Sequence, residues 1–151
     1  MALRVFVSYS GRNDQVNALR LQTLATTRPG LHVYVPPADS RSTKGLGHEN
    51  EFAQLKQSDV MLLLVSGPVP PRMEREIQLA QQLKKPIVPI VLAGMTLTGL
   101  QPVFRLDPWN PAPTEESVIR HLDTLKLSKD NTAALSALAL ILLGLLILGK
   151  K

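Results

Sequence analysis

The 151-residue sequence contains no cysteine. Disulfides, thiolate metal sites and a cysteine nucleophile are therefore excluded. Aromatic residues make up only 4% of the chain, and 17 Lys and Arg against 12 Asp and Glu give a formal charge of +5. This basicity is mild and no basic run is interleaved with aromatic residues, so we expect no nucleic-acid partner. The length corresponds to a single domain.

Several motifs that would identify a common enzyme class are also missing. The chain has no GxxxxGK[ST] phosphate loop, no GxGxxG fingerprint and no GxSxG nucleophile elbow. Its three histidines, His32, His48 and His121, lack the spacing of metal ligands. We expect them to occupy strand or surface positions, and we predict neither a metal site nor a bound cofactor.

The C-terminal segment is apolar over a long stretch. Residues 132–149 carry no charge, and 18 helical residues at about 1.5 Å each span roughly 27 Å, close to the hydrocarbon thickness of a bilayer. A buried core helix is the alternative, but the segment has no polar face and follows a polar linker at 127–131. We therefore predict a transmembrane helix at 132–149 and a basic tail at 150–151.

The N-terminus, "MALRVFVSYS", lacks the long apolar region and cleavage site of a signal peptide. Together with the C-terminal helix, this pattern predicts a single-pass, tail-anchored membrane protein. Its soluble domain, residues 1–126, is expected to lie in the cytoplasm.

The soluble part alternates strand patterns with helix patterns. "DVMLLLVS" contains six consecutive apolar residues, Val60 to Val65, which is typical of a strand in the middle of a parallel sheet. "LRVFVSY", "LHVYV" and "PIVPIVL" predict further strands, and "PVFRLDP" predicts an edge strand. Helices are predicted after Asp14 with apolar Val16, Leu19 and Leu24, through "HENEFAQLKQS", and from Thr114. The order favours an α/β, flavodoxin-like doubly wound parallel sheet.

The helix in "PPRMEREIQLAQQLKKP" aims a carboxylate toward its buried side. At about 100° per residue, Glu76 falls within the apolar stripe whose members are Met73, Ile77, Leu79, Ala80 and Leu83. One interpretation is a glutamate that interacts with the helix dipole and with Arg72 at the i, i+4 spacing. The other is a glutamate in a dry cleft that holds a sugar hydroxyl or faces an oxocarbenium-like centre.

The segments "RVFVSYSGRND", "SDVMLLLVS" and "MEREIQLAQQLKKPIVPIVL" together resemble the Toll/interleukin-1 receptor (TIR) domain superfamily over about residues 3 to 126. The family opens with a phenylalanine-rich strand that ends in Ser-Tyr. Its third strand ends in Leu-Ser or a similar pair, and the next helix carries Glu-Leu or Glu-Ile before a Lys-Pro pair. Each segment is short, so the resemblance depends on all three segments occurring together.

The resemblance implies a function and a site. In the enzymatic branch of the family, the matching glutamate, here Glu76, cleaves the nicotinamide–ribose bond of NAD. By the same resemblance, the substrate would be flanked by residues after the first three strands: Tyr9, Ser10, Arg12, Asp14, Asp39, Gly45 and Ser66. Family enzymes complete their sites between neighbouring copies, so the implied partners are a second copy, NAD and the membrane.

The chain also departs from the family pattern. Arg72 and Met73 stand where many members have Trp-Cys, and the loop after the second strand reads "SRSTKGLG". Three functions therefore stay open: an NAD-cleaving signalling or defence effector switched on by clustering, a non-catalytic scaffold for homotypic interaction, and a sensor that binds a nucleotide without cleaving it. Trp109, the only tryptophan, either borders the cleft or packs against the domain, and packing is the interpretation we favour.

Overall fold

The computed structural model describes residues 2–9, 12–37, 48–92 and 104–129. Five strands form one parallel sheet in the order β2-β1-β3-β4-β5. The strands are β1 (Leu3–Ser8), β2 (Leu31–Tyr34), β3 (Val60–Val65), β4 (Ile87–Leu92) and β5 (Phe104–Leu106). The helices are α1 (Arg12–Ala25), α2 (His48–Gln57), α3 (Pro71–Gln82) and α4 (Ala112–Lys129). The predicted flavodoxin-like architecture is confirmed.

The sheet is covered on both faces, which explains its apolar strands. Alternate residues of the strands point to opposite sides. Leu62 and Leu64 belong to the cluster shared with α1 and α4, whereas Met61 and Leu63 belong to the cluster shared with α2 and α3. All six residues of β3 are buried, as expected for a strand between β1 and β4 with helices on both sides. β5 lies at the sheet edge, as predicted.

Helix α1 forms as predicted, but the residues that predicted it are not the ones that it buries. Val16, Leu19 and Leu24, the apolar residues that predicted it, are 60%, 43% and 37% exposed. The side packed on the sheet is formed by Ala18, Leu21 and Ala25. α1 is apolar on two sides, so its pattern indicates a helix without indicating which side packs.

The predicted packing of Trp109 was wrong, because its side chain is 93% exposed in the turn after β5.

Helix α3 follows its predicted pattern closely. Pro71 occupies the first helical position, where its missing N–H costs no hydrogen bond. Met73 and Ala80 are buried in the core, while Leu83, expected in the same stripe, is the C-cap and is 42% exposed. Lys84 then adopts a left-handed conformation with φ of 57° and ends the helix.

Helix α4 begins at Ala112, two residues before the predicted start, and Thr114 lies within its first turn. The Thr114 hydroxyl donates a hydrogen bond to the carbonyl of Arg105 at 2.8 Å. In the same turn, Glu115 accepts two hydrogen bonds from Arg20 of α1 at 2.9 and 3.0 Å. These contacts anchor the start of α4 to β5 and α1. At its other end, α4 includes the first three residues of the predicted 127–131 linker.

Within the described ranges, no helix combines the length and apolar character needed to cross a membrane. The predicted span at 132–149 and the basic tail at 150–151 lie outside those ranges, so the membrane anchor stays a prediction.

His121 on α4 predicts an acid-sensitive contribution to stability. Its ring packs edge-on against Phe104 with the ring centroids 5.7 Å apart. Within the described part of the chain, its buried Nε2 has no hydrogen-bond partner. Burial lowers the pKa of His121 from its ordinary value. The unfolded chain therefore takes up the proton first as pH falls.

The stabilisation linked to neutral His121 should be complete above about pH 6.5, the ordinary pKa of histidine, and should be lost as pH falls through the lower folded value. We expect His121→Gln to lose less stability than the parent chain between about pH 7.5 and about pH 5.5, measured by urea unfolding. His32→Gln is the matched control, since His32 is exposed on β2. Equal pH slopes for the parent and His121→Gln would contradict the prediction.

Candidate functional site

The candidate site lies at the carboxyl edge of the sheet, where the parallel strands end. After β1 the chain passes to β2 on one side, and later to β3 on the other side of β1. The loops that follow β1 and β3 therefore diverge, and ligands of such sheets bind at this switch point, which we call the crevice. Ser8, the last residue of β1, pairs in register with Leu63 of β3 beneath the crevice.

Glu76 lies beside this crevice and points inward, as the sequence predicts. It belongs to the second turn of α3, and its side chain is 0% exposed. Its Oε1 accepts a hydrogen bond of 2.8 Å from the hydroxyl of Ser8. A buried carboxylate is costly unless donors hold it, so this contact both stabilises Glu76 and fixes the orientation of its carboxylate.

Ser8 is the site residue that sequence reasoning missed. Phe6, two positions earlier on β1, packs in the cluster beneath α2 and α3, and the alternation of a strand turns Ser8 to the same side. Ser8 is itself 0% exposed. The signal was a serine within the apolar run "LRVFVSY", at a position that faces the helices at the end of the strand.

Two predicted site residues meet across the crevice. The hydroxyl of Ser66, just after β3, donates a hydrogen bond of 2.8 Å to Oδ2 of Asp14 in the first turn of α1. Asp14 is 3% exposed. The contact joins the segment after β1 to the segment after β3, so Asp14 and Ser66 close one wall of the crevice.

Tyr9 connects the ends of β1 and β2. It is 0% exposed, and its hydroxyl donates a short hydrogen bond to the carbonyl of Pro36. The phenol therefore sets the spacing between the segments that follow these two strands, and its predicted contact with substrate stays a prediction.

The remaining predicted residues are described incompletely. Ser10, Asp39 and Gly45 lie outside the described residues, and Arg12 is described only as part of the backbone of α1. Their predicted roles in binding substrate stay predictions.

A buried charge pair lies next to the site. Arg72, in the first turn of α3, has its Nη1 3.9 Å from Oε2 of Glu51 on α2. The side chains are 9% and 2% exposed. The sequence interpretation paired Arg72 with Glu76, but the structure places Arg72 against Glu51 and gives Glu76 the hydroxyl of Ser8. Glu51 was not a predicted site residue, because it lies 21 positions from Arg72 and no local pattern indicates the contact.

This arrangement suits recognition of a polar or cationic centre by a fixed carboxylate. The site contains carboxylate oxygens that could in principle bind a metal ion. Among the described residues, however, no group of three or more His, Asp and Glu side chains is placed to hold one. Glu76 is held from one side by Ser8, and an acceptor in a low-dielectric environment interacts strongly with positive charge.

Comparisons with known proteins give likenesses to solved structures only. No family model matches the chain, and no curated protein matches it. The chain is similar to a prokaryotic SEFIR domain, with 17% identity, a TM-score of 0.48, and coverage of 79% of this chain and 97% of that one. It is also similar to the 2-deoxyribosyltransferase of the psychrotolerant bacterium Bacillus psychrosaccharolyticus, with 11% identity, a TM-score of 0.49, and coverage of 63% and 77%. At these values neither likeness assigns a function.

Proposed function

We propose that this chain is a membrane-anchored, TIR-like enzyme that cleaves the nicotinamide–ribose bond of NAD when copies of it associate. Its biological role would be that of a signalling or defence effector. The observation that carries the proposal is the Glu76 carboxylate, buried at the carboxyl edge of the sheet and held by the Ser8 hydroxyl. The resemblance of the surrounding segments to TIR domains supports the same assignment.

The proposed reaction needs one well-placed negative charge. When the bond between ribose C1′ and the nicotinamide nitrogen breaks, its electron pair moves to that nitrogen and neutralises the pyridinium ring. Positive charge then develops on the ribose as an oxocarbenium-like centre. The carboxylate of Glu76 stabilises that charge, and it does so more strongly in a dry site than in water. Water then attacks C1′ and loses a proton to give ADP-ribose, or a ring nitrogen of adenine attacks to give a cyclic product.

Because Glu76 is buried in the single chain, self-association would have to open the site to substrate. At 0% exposure in the single chain, the carboxylate is closed to a substrate as large as NAD. We therefore assign the single chain to the resting state and assign opening of the site to contact between copies. An anchor at 132–149 would raise the local concentration of domains on a surface and favour that contact.

The decisive test is nicotinamide release from NAD by the full chain, alone and under forced clustering. The chain is reconstituted in vesicles at low density and then cross-linked through an N-terminal affinity tag by a multivalent binder. We expect release to rise on cross-linking and to stay at background when a monovalent binder of the same tag is added. NAD binding by calorimetry without release would instead indicate a nucleotide sensor.

A second candidate function, a non-catalytic homotypic docking module, is favoured by the outer face of α1. Val16, Leu19 and Leu24 project from this face at helical spacing. They line a cleft of about 620 Å³ with the first turn of α4. Arg20, which is bonded to Glu115 of the same chain, and the exposed Glu116 border the cleft, and two copies related by a two-fold axis would bury the apolar centre of this face between them.

This candidate predicts that Leu19→Arg lowers self-association at least about tenfold, because a charge would be buried at the centre of the contact. Sedimentation of the full chain in detergent measures the effect. Gln78→Arg, an equal change on the exposed side of α3, is the control. Unchanged association of Leu19→Arg would exclude the α1 face, and association without nicotinamide release would favour docking over catalysis.

A further inference from the structure

The edge of the sheet at which the strands begin, opposite the candidate site, carries a concentration of positive charge. We call this edge with its flanking helix ends the basic face. Among the described side chains, its cations are Arg4, Arg28, Lys56, Lys84, Lys85 and Lys126, and its carboxylates are Asp59 and Asp123. One carboxylate, Asp123, is paired with Arg28 at 3.2 Å. The basic face therefore has a clear excess of positive charge.

Backbone and side-chain contacts place these residues together. The backbone N–H of Arg4 donates to Oδ2 of Asp59 at 2.9 Å, and the N–H of Asp59 donates to the carbonyl of Arg4 at 2.7 Å. Lys85 donates a short hydrogen bond to the carbonyl of Ser58. These contacts join the start of β1, the start of β3 and the segment that leads into β4.

The end of α4 lies at the same edge. Lys126 donates a short hydrogen bond to the carbonyl of Pro29, and the carbonyl of Gly30, the next residue, accepts from the N–H of Leu3 at the start of β1 at 2.8 Å. Helix α4 therefore ends at the basic face.

The opposite edge of the sheet carries more acidic side chains, two of which, Glu51 and Glu115, are paired with Arg72 and Arg20. The acidic side chains near the carboxyl edge lie in the first turns of helices or just beyond: Asp14, Glu51, Glu74, Glu76 and Glu115. Helix dipoles favour acids at helix starts and bases at helix ends. Lys56, in the last turn of α2, follows this rule. In contrast, neither α1 nor α3 has a basic residue in its last turn. Arg4 is on a strand and Lys84 follows a helix, so the dipoles explain only part of the basic face.

The proposed membrane anchor begins close to this face. Only residues 130 and 131 separate the end of α4 at Lys129 from the apolar segment that starts at 132. At roughly 3.3 to 3.6 Å per residue, the chain from 129 to 132 reaches at most about 11 Å. The Debye length at physiological ionic strength is about 8 Å. An anchored domain therefore cannot move its basic face far beyond the range of the charge on lipid headgroups.

We propose that the basic face docks the domain onto an anionic bilayer surface, with the carboxyl edge and Glu76 directed away from the lipid. This inference rests on the membrane anchor of the proposed function. Docking in this orientation leaves the carboxyl edge facing away from the lipid, where neighbouring domains on the same surface can reach it. Each exposed Lys or Arg removed from the face should lower the ratio of docked to undocked domains about fivefold, and added salt should lower it further.

The absence of native cysteine allows a direct test with single reporters in the full chain. Gln57→Cys places an exposed reporter on the basic face, and Ala112→Cys places one near the opposite edge. Each is labelled with a fluorophore and reconstituted into vesicles that contain a lipid with a nitroxide on its headgroup. We expect the label at 57 to be quenched more in vesicles with phosphatidylserine than in phosphatidylcholine alone. The label at 112 should remain unquenched in both.

Two triple variants that remove the same charge distinguish an effect of the basic face from an effect of the net charge of the protein. Arg4→Gln, Lys56→Gln and Lys84→Gln together should abolish the extra quenching at 57. Arg75→Gln, Arg105→Gln and Arg120→Gln together remove the same charge from exposed positions away from the face and should retain the extra quenching. Equal quenching for the two triple variants would overturn the proposal.

The outcomes also distinguish this proposal from a failure of the anchor. If the full chain is released from vesicles by alkaline carbonate, the anchor is absent and both ideas fail. If the chain resists extraction but the label at 57 responds equally to the two lipid compositions, only the basic-face proposal fails. Retention of an RNA oligonucleotide by the basic face, with no lipid dependence at 57, would assign the face to nucleic acid and overturn the proposal.

Discussion

Replacing Glu76 by Gln is expected to lower nicotinamide release by the clustered chain on the order of 10² to 10³-fold. The substitution keeps the size of the side chain and its ability to accept from Ser8. It removes the negative charge that would stabilise the oxocarbenium-like ribose. The measurement is the initial rate of nicotinamide formation from NAD by the reconstituted, cross-linked chain.

Glu74→Gln is the matched control, because Glu74 lies on the same helix and is exposed. It makes the same change of charge two residues away from Glu76, and its rate should equal that of the parent chain. Unfolding curves for both variants would show whether either has lost its fold. Equal nicotinamide release by the parent chain and Glu76→Gln would rule out the catalytic role of this residue.

Removing the hydroxyl of Ser8 is expected to have the next largest effect. Ser8→Ala takes away the buried donor to Oε1 of Glu76, and loss of such a partner costs about 1 to 3 kcal/mol in free energy of unfolding. The same variant removes one of the contacts that orient the Glu76 carboxylate, so NAD cleavage should also fall. Urea unfolding measures the first effect and nicotinamide release measures the second.

The control for Ser8→Ala is Ser117→Ala, which removes a hydroxyl that bonds only to a carbonyl of its own helix near the surface. Its cost should stay within about 0.5 kcal/mol. A double-mutant cycle between Ser8→Ala and Glu76→Gln should give a nonzero coupling energy, since the two side chains are in contact. Additive effects in that cycle would show that the contact contributes nothing to stability.

The sheet could be predicted because its strands carry strong local signals. The apolar run of β3 requires cover on both faces, and the structure gives it that position between β1 and β4. The inward direction of Glu76 could be predicted for a similar reason. Helical geometry fixes the angle between Glu76 and its apolar neighbours Met73 and Ala80, so burying those neighbours also buries the glutamate.

The packing of α1 and of Trp109 could not be predicted, because the local pattern gives no direction there. α1 has apolar residues on opposite sides, and the sheet accepts the side with Ala18 and Ala25 because small side chains let the helix approach closely. Larger Leu19 is left outside. Trp109 lies in a turn without periodicity, so only the tertiary structure determines that its side chain is exposed.

Partners within the site were the hardest features to predict. Ser8 and Glu76 are 68 positions apart, and Arg72 and Glu51 belong to different helices. Such contacts follow from the strand order, which places β1 beside β3 and brings the end of β1 beneath α3. The sequence indicates which residues point inward but not which of them meet.

The position of Trp109 has a practical consequence for spectroscopy. It is the only indole in the chain, it is 93% exposed, and it follows the carboxyl end of β5, so it lies at the same edge as Glu76. Its intrinsic emission thus comes from one solvated position at the edge that holds the candidate site. A blue shift of that emission when domains assemble would report burial of this edge without any attached dye.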